Sequence, residues 1–166
     1  MNLLSPQELR KAFSSFATGV TVITGFDSHA QAIGITISSF NTVSLEPPLV
    51  LWSLSERSAF MPHFQVGHRQ LIHVLERSQE DLAMRFAKTN SDQFSGLEYQ
   101  IESSGLAKLS GCVAHLECET VATYPGGDHR IIVARVDDFA YDLERDPLIF
   151  SRSQFMGLNL PEKSLG

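Results

Sequence analysis

Residues 34–58 read Gly-Ile-Thr-Ile-Ser-Ser-Phe-Asn-Thr-Val-Ser-Leu-Glu-Pro-Pro-Leu-Val-Leu-Trp-Ser-Leu-Ser-Glu-Arg-Ser, which predicts two strands separated by consecutive prolines. β-Branched and aromatic residues favour strands, and Pro47 and Pro48 mark the connection because proline cannot donate a ladder hydrogen bond. Hydroxyl side chains gather where these strands end, at Thr36, Ser38, Ser39, Thr42, Ser44, Ser53 and Ser55. Such a cluster can bind a phosphate or the edge of an aromatic ring. It is equally typical of a Ser/Thr-rich loop in a β-barrel.

The composition indicates an ordinary globular chain and excludes several functional classes. With 166 residues, 43% of them hydrophobic and 19% charged, the chain fits a single domain spanning residues 1–166. A net charge of −6 without any basic run argues against binding nucleic acid. No apolar run approaches the ~20 residues of a membrane span, and the first residues do not resemble a secretion signal. We therefore expect a cytoplasmic protein that does not associate with membranes.

Cysteine and histidine spacing predicts neither a disulfide nor a metal site. Cys112 and Cys118 share one face of a predicted strand and would lie roughly 20 Å apart, too far for a disulfide. They are expected to be reduced thiols in the core. His63, His68 and His73 are spaced by five, which matches no common ligand pattern.

The hydrophobic pattern predicts a mostly β chain with two main helices. The first helix begins at Ser5, where Pro6 and Glu8 complete a capping pattern, and it ends near Gly19. The second begins at residues 78–81 and ends near Lys88. Strands are predicted at residues 19–25, 32–40, 49–54, 70–75, 111–123, 130–141 and 148–150. Residues 49–54 are expected to be buried on both faces, residues 59–64 to form a short helix, and residues 89–109 to be mostly loop.

This pattern predicts a mostly antiparallel barrel with helical additions, because strands adjacent in sequence are joined by short turns. A doubly wound sheet is not expected, since no Gly-x-Gly-x-x-Gly follows a strand. Neither a Gly-x-Ser-x-Gly elbow nor a P-loop is present. The segment Gly126-Gly127-Asp128-His129-Arg130 stands out, because glycine allows a ligand close to the backbone and a histidine at a strand start is held in place. Locally, a glycine-rich hairpin with an exposed histidine explains it as well.

Taken in order, several blocks resemble one family. They are residues 16–24 (Phe-Ala-Thr-Gly-Val-Thr-Val-Ile-Thr), 36–40 (Thr-Ile-Ser-Ser-Phe), 43–50 (Val-Ser-Leu-Glu-Pro-Pro-Leu-Val), 109–112 (Leu-Ser-Gly-Cys), 116–118 (Leu-Glu-Cys) and 127–129 (Gly-Asp-His). Together they are similar to the short-chain flavin reductase family, over about residues 9–158. The resemblance implies an FMN-binding split β-barrel, antiparallel and Greek-key-like with a few flanking helices, that forms a homodimer with the flavin at the interface.

The resemblance also implies a function. NADH or NADPH would transfer a hydride to FMN or FAD, and the reduced flavin would serve a flavin-dependent monooxygenase, while the protein supplies orientation and electrostatics. An FMN-binding electron carrier on the same barrel remains an alternative, as does a reductase of another acceptor such as a corrinoid or a ferric complex. A pyridoxamine-phosphate-oxidase-like enzyme is a third reading, against which the Gly-Asp-His block and the Pro-Pro region argue.

The family's site residues carry over position by position. The implied flavin contacts are Thr36, Ile37, Ser38, Ser39, Ser53, Leu54 and Ser55, with Arg57 and Ser58 at the phosphate end and Phe86 and Ala87 as further candidates. His129 corresponds to the family residue near the nicotinamide. Thr42 and Ser44 are expected to support the Pro-Pro turn. The chain departs from the family at residues 152–155, which read Arg-Ser-Gln-Phe instead of Arg-Gly-x-Tyr, and at Ser55 and Glu56, where relatives often carry Asn or Asp and a basic residue.

Overall fold

The computed structural model describes residues 5–88 and 92–158, which form twelve strands, two α-helices and one 3₁₀ helix. The α-helices are α1 (Pro6–Ser14) and α2 (Glu80–Phe86), and the 3₁₀ helix is Met61–Phe64. The strands are β1 (Thr18–Gly19), β2 (Thr21–Phe26), β3 (Ala32–Ile37), β4 (Asn41–Leu45), β5 (Pro48–Ser55), β6 (Arg69–Val74), β7 (Tyr99–Ile101), β8 (Ala107–Leu109), β9 (Ala114–Gly126), β10 (His129–Tyr141), β11 (Ile149–Ser151) and β12 (Gln154–Met156). Among the described residues, no helix is long and apolar enough to cross a bilayer.

The main sheet has to close on itself because its two edge strands are neighbours in sequence. Its order is β3-β2-β6-β9-β10-β5-β4, and all pairs are antiparallel. Laid flat, seven strands would put β3 and β4 about 29 Å apart. The connection between Ile37 and Asn41 reaches at most roughly 15 Å. Residues 38–40, here called the closing corner, therefore force the sheet into a barrel, which confirms the predicted mostly β antiparallel fold.

Two hydrophobic clusters lie on opposite sides of β2. Ile23 faces the barrel interior together with Trp52, Phe64, Ile72 and Ile132, all completely buried. The interior also encloses a hydrogen-bonded chain across β5, β6 and β9. The Trp52 indole donates to Gln70 Oε1 at 2.8 Å, and Gln70 Nε2 donates to Thr120 Oγ1 at 2.8 Å. This chain satisfies polar groups that would be costly to bury unpaired.

The second cluster lies outside the barrel and holds α2 against it. Val22, Ala83, Phe86 and Leu148 belong to it. A side chain on Gly34 would place its Cβ only 2.5 Å from two ring carbons of Phe86. The absence of a side chain at residue 34 therefore lets α2 pack directly on β3.

Several boundaries predicted from sequence are wrong at the helices. The first helix ends at Ser14 rather than near Gly19, because the Ser14 and Ser15 hydroxyls donate back to the carbonyls of Lys11 and Ala12 and thereby favour termination. Its apolar stripe is not buried in this chain, since Phe13 is 68% exposed. The second helix, Glu80–Phe86, lies within the predicted range, although no side chain caps its start.

Other predictions fail where strands are short or only half-buried. Residues 89–109 contain the β7–β8 hairpin, although residues 89–91 lie outside the described residues. Strand β3 ends at Ile37 and not at residue 40, and Thr42 and Ser44 lie in β4 rather than in a turn. Strand β5 alternates between fully and half-buried residues instead of being buried on both faces. The tail contains β12, which the sequence did not predict.

The cysteines are free and buried, as predicted for core thiols, but Cys112 precedes β9 and does not lie on it. Burial raises the pKa of the Cys112 thiol to about 11 and that of Cys118 to about 12. Both are therefore protonated near neutral pH.

His73 is a structural residue rather than a ligand. It is completely buried on β6. Its Nδ1 lies 3.0 Å from the Val22 carbonyl, and its Nε2 accepts the Leu109 amide at 3.1 Å. Because an amide can only donate, the proton must sit on Nδ1 and the ring is neutral. Burial lowers the pKa of His73 to about 3.

This neutral histidine predicts acid sensitivity. In the unfolded chain His73 binds a proton near pH 6.5, whereas in the folded chain its pKa is about 3. The folded state therefore has its full stability with respect to His73 above pH 6.5 and loses stability as the pH falls toward 3. Lowering the pH from about 7.5 to about 5.5 should therefore reduce the free energy of unfolding by about 1.4 kcal/mol through His73 alone. Urea unfolding of His73→Gln should lack this increment, and the exposed control His68→Gln should keep it. An equal pH dependence in His73→Gln and the parent protein would contradict this assignment.

The contact between Gly34 and Phe86 predicts a specific packing defect. Gly34→Ala should destabilise the fold by about 1–3 kcal/mol through overpacking. Phe86→Leu in the same chain should recover part of that loss, so the double-mutant cycle should show favourable coupling. Gly19→Ala is the matched control, since nothing lies within 4 Å of its added Cβ. Strict additivity of the two substitutions would argue against the contact.

Candidate functional site

The closing corner brings two of the predicted segments together. The Ser39 hydroxyl accepts the Ser53 amide at 2.9 Å and lies 3.3 Å from the Ser53 carbonyl. One side chain from the end of β3 thus binds both backbone groups of a residue on β5. This contact therefore joins the closing corner to β5.

A cavity of about 350 Å³ opens beside residues 36–38. It is lined by Val20, Thr36, Ile37, Ser38, Ala83, Met84, Ala87, Phe150, Ser153 and Phe155. The Thr36 hydroxyl donates to the Ala83 carbonyl at 2.6 Å, which ties β3 to α2 at the cavity wall. The lining is mainly apolar with a few hydroxyls, as is common for sites that hold a flat aromatic ligand.

Beyond β5, residues 55–58 form a tight turn, here called the 55–58 turn. Its amides are already used: the Glu56 amide donates to the Asp128 carbonyl at 3.0 Å, the Arg57 amide to Ser55 Oγ at 3.3 Å, and the Ser58 amide to the Ser55 carbonyl at 2.9 Å. Ser58 Oγ accepts the Phe60 amide at 3.2 Å. A hydroxyl can donate as well as accept, so Ser55, Ser58 and the exposed Arg57 are candidate hydrogen-bond donors to a ligand.

His129 starts β10 directly opposite Ser55 in the strand register. Its Nδ1 lies 2.7 Å from Asp128 Oδ1, and this hydrogen bond holds the pKa of the exposed Asp128 carboxyl below its usual range. Next to it, the Arg130 guanidinium binds Glu56 Oε1 through Nε at 3.0 Å and Nη2 at 2.9 Å. The hydrogen bond to Asp128 thus holds the His129 ring at the edge of the 55–58 turn.

The structure places the predicted residues along one strip, with three exceptions in the direction of their side chains. The strip runs from the cavity (Thr36, Ile37, Ser38, Ala87) through Ser39 and Ser53 to Ser55, Arg57, Ser58 and His129. Ile37 and Leu54 belong to the barrel core and Phe86 to the outer cluster, and all three side chains are buried. Their side chains therefore position the strip instead of facing a ligand.

Sequence reasoning missed part of the cavity wall. Phe150, Ser153 and Phe155 reach it from the β11–β12 hairpin, and Ala83 and Met84 from α2. Arg152 and Ser153 both have positive φ, as a two-residue hairpin turn requires. Neither is a typical residue for such a turn, so composition gave no signal there.

The strip fits a flavin in its chemistry. The apolar cavity suits an isoalloxazine ring, the hydroxyls suit its polar edge and ribityl chain, and Arg57 offers a charge-assisted partner for a phosphate. A larger cavity of about 560 Å³ is lined by Asp27, Gln31 and Asp92 among others. Its acidic lining suits an anionic ligand poorly.

Within residues 5–88 and 92–158, no group of His, Cys, Asp and Glu could hold a metal ion.

Comparison with known proteins agrees with this geometry. A family model described as flavin reductase like domain matches residues 13–159. The chain is 40% identical over 149 residues to the FMN reductase (NADH) SmoA of Agrobacterium fabrum, covering 90% of this chain and 84% of that protein. It is 32% identical over 162 residues to HsaB of Rhodococcus jostii, the reductase subunit of a flavin-dependent monooxygenase, covering 98% of this chain and 82% of HsaB.

A solved structure is similar over the whole fold. The NADH:FAD oxidoreductase SgcE6 of Streptomyces globisporus, in complex with NAD and FAD fragments, superposes with a TM-score of 0.86 at 32% identity, covering 99% of each chain. The resemblance that the ordered sequence blocks predicted is therefore confirmed. This chain belongs to the flavin reductase family.

Proposed function

We propose that the protein is an NADH-dependent flavin reductase that supplies reduced flavin to a flavin-dependent monooxygenase. The observation that carries the proposal is the strip from the cavity to His129, which combines an apolar cavity, a row of hydroxyls, the exposed Arg57 and a histidine hydrogen-bonded to Asp128. When bound, the flavin supplies the ring that accepts the hydride. The relatives named above are an FMN reductase (NADH), an NADH:FAD oxidoreductase and a monooxygenase reductase subunit, which favours this reading over an electron carrier.

The residues of the chain bind and orient the reactants. The apolar wall of Phe150 and Phe155 excludes water from one side of the cavity, and Ser38 offers a hydroxyl to the polar edge of a ring. Ser55, Arg57 and Ser58 bind the phosphate end. These groups sit on strands and a short turn, so little ordering is needed on binding.

His129 binds the nicotinamide donor rather than acting as an obligatory acid. Its bond to Asp128 uses Nδ1 and limits the rotation of the ring, so Nε2 is the ring nitrogen left to contact the donor. A hydride transfer needs no proton from this ring, so its contribution is to hold the donor close to the flavin.

We further propose a homodimer acting in the cytoplasm. An apolar groove of about 510 Å³ runs between the β4–β5 hairpin and β10, with Val43, Leu45, Leu49 and Phe139 in its wall. Leu45 is 95% exposed in the single chain. A continuous apolar surface of this kind suits a protein interface, and a second copy covering it would also bury the half-exposed face of β5. The two buried thiols fit a reducing compartment.

The enzymatic proposal predicts flavin-dependent oxidation of the nicotinamide. The purified protein should oxidise NADH when FMN or FAD is added, measured by absorbance with NADH and NADPH crossed against FMN, FAD and riboflavin. His129→Ala should raise the Michaelis constant for NADH about tenfold with a smaller change in kcat, because it removes binding of the donor. His68→Ala is the exposed control and should behave as the parent. FMN retention without any nicotinamide turnover would instead indicate an electron carrier.

The dimer proposal predicts a charge-sensitive interface. Val43→Glu should shift the protein from dimer to monomer in analytical ultracentrifugation, because a carboxylate in an apolar interface loses its hydration. Val66→Glu is the matched control, since Val66 is similarly exposed (59% against 49%) but lies outside the groove. A monomeric parent protein, or a dimer insensitive to Val43→Glu, would contradict this placement.

A further inference from the structure

The side chain of Gln93 binds three backbone groups and is only 3% exposed. Its Oε1 accepts the Gly34 amide at 3.3 Å, and its Nε2 donates to the Gly34 carbonyl at 2.9 Å and to the Lys88 carbonyl at 2.7 Å. A primary amide has two N–H donors, so both are used. Because two of the partners are carbonyls and the third is an amide, only this orientation of the Gln93 amide satisfies all three. These three hydrogen bonds are here called the Gln93 bridge.

The Gln93 bridge lies on the outer edge of β3. This strand is an edge of the main sheet, and it pairs with β2 through Thr24 opposite Gly34 and Val22 opposite Thr36. Alternate residues of an antiparallel strand direct their backbone groups to the same side, so Gly34 and Thr36 share the edge that Gln93 approaches. A side-chain amide carries the same kinds of donor and acceptor as a peptide group. Gln93 therefore acts at Gly34 as a neighbouring strand would.

The Gln93 bridge also joins β3 to the end of α2. Lys88 follows Ala87, the C-terminal cap of α2, and Gly34 lies two residues before Thr36. Ala87 and Thr36 both line the cavity of about 350 Å³. Gln93 itself lies in the wall of the larger cavity of about 560 Å³. Its effect on the smaller cavity must therefore pass through the backbones of Gly34 and Lys88.

The position of residue 93 is fixed by α2. The Phe94 ring packs edge-on against Phe86 with 5.1 Å between the ring centroids. Arg85 Nη1 donates to the Gln93 carbonyl at 3.4 Å and to the Ser95 carbonyl at 3.0 Å. Arg85 and Phe86 both belong to α2. The helix thus holds the segment that carries Gln93, and the Gln93 side chain connects that segment to β3.

We propose that Gln93 is a positioning residue of the flavin site, whose amide fixes the separation between β3 and the end of α2 and thereby the width of the smaller cavity. The inference rests on the proposed function, since it assumes that this cavity receives the flavin ring. The Thr36 hydroxyl already joins β3 to the middle of α2 through the Ala83 carbonyl at 2.6 Å. The Gln93 bridge adds a second connection at Lys88, so the helix cannot pivot about the first.

The test is equilibrium binding of FMN and riboflavin to the flavin-free protein, measured by quenching of flavin fluorescence with no nicotinamide present. Gln93→Met keeps the length of the side chain but removes all three hydrogen bonds. It should weaken the binding of both flavins about tenfold, because a displaced wall loses its fit to the ring. The FMN-to-riboflavin affinity ratio should not change, since the phosphate end lies elsewhere. The visible absorption bands of saturated FMN should shift relative to the parent complex.

Two conservative variants grade the effect and replace Gln93→Met if it does not fold. Gln93→Glu retains an acceptor for the Gly34 amide, but a carboxylate has no proton for the two carbonyls, so it should weaken binding at least as much as Gln93→Met. Gln93→Asn retains the amide on a side chain that is one methylene shorter. It reaches only part of the bridge and should give an affinity between those of the parent and Gln93→Met.

A second buried glutamine provides the matched control. Gln70 is completely buried and binds Trp52 and Thr120 in the barrel interior. Gln70→Met should lower the free energy of unfolding, measured with urea, and should leave the FMN dissociation constant within about twofold and the absorption bands unshifted, because distant sites act independently. Thr120→Val removes only the acceptor of Gln70 Nε2 and is a milder form of the same control.

The outcomes distinguish this inference from the proposed function. FMN affinity equal to that of the parent in Gln93→Met, or an equal loss of affinity in Gln93→Met and Gln70→Met, would overturn the positioning role. Weaker flavin binding in the Gln93 variants, with no NADH oxidation by the parent, would sustain the positioning role and overturn the reductase proposal. NADH oxidation by the parent with an unchanged Michaelis constant for FMN in Gln93→Met would do the reverse.

Discussion

Residues 38–40 must join the two edges of a seven-stranded sheet, and most of the site follows from that constraint. Because the connection is far shorter than the width of a flat sheet, the sheet curls until the end of β3 lies beside β5. The Ser39 hydroxyl then binds both backbone groups of Ser53. Hydroxyls that are 14 or more residues apart in sequence become neighbours on one surface. The same short connection therefore closes the barrel and assembles the row of polar groups.

The cavity depends on a second constraint, the close approach of α2 to β3. Gly34 removes the side chain that would collide with Phe86, and the Thr36 hydroxyl binds the Ala83 carbonyl next to it. Together these contacts set the position of Ala83 and Ala87, which form one wall of the cavity. Gly34, Thr36 and the hydroxyls of Ser38 and Ser39 all lie in residues 34–39, so β3 and the closing corner together pack the helix and line the site.

The parts predicted from sequence are those determined by local pattern. Alternating and apolar runs gave β2, β6 and β10, and the ordered blocks identified the family. Short elements were missed because their stability comes from tertiary pairing rather than from their own composition. The β7–β8 and β11–β12 hairpins are examples, as is β4, whose Thr42 and Ser44 look like turn residues until β5 pairs with them. Leu54 and Phe86 show the same limit at the site, since the family resemblance pointed to their segments but not to the side of the strand or helix that each residue faces.

The central claim is that the flavin lies along the strip from the cavity to His129. Hydrogen–deuterium exchange with and without FMN tests it most directly, since binding slows exchange of the amides it covers or stabilises. The account predicts slower exchange in residues 36–39, in residues 53–58 and around His129, with little change in residues 27–33. Slower exchange confined to residues 27–33 and 92–99, which border the larger acidic cavity, would contradict it.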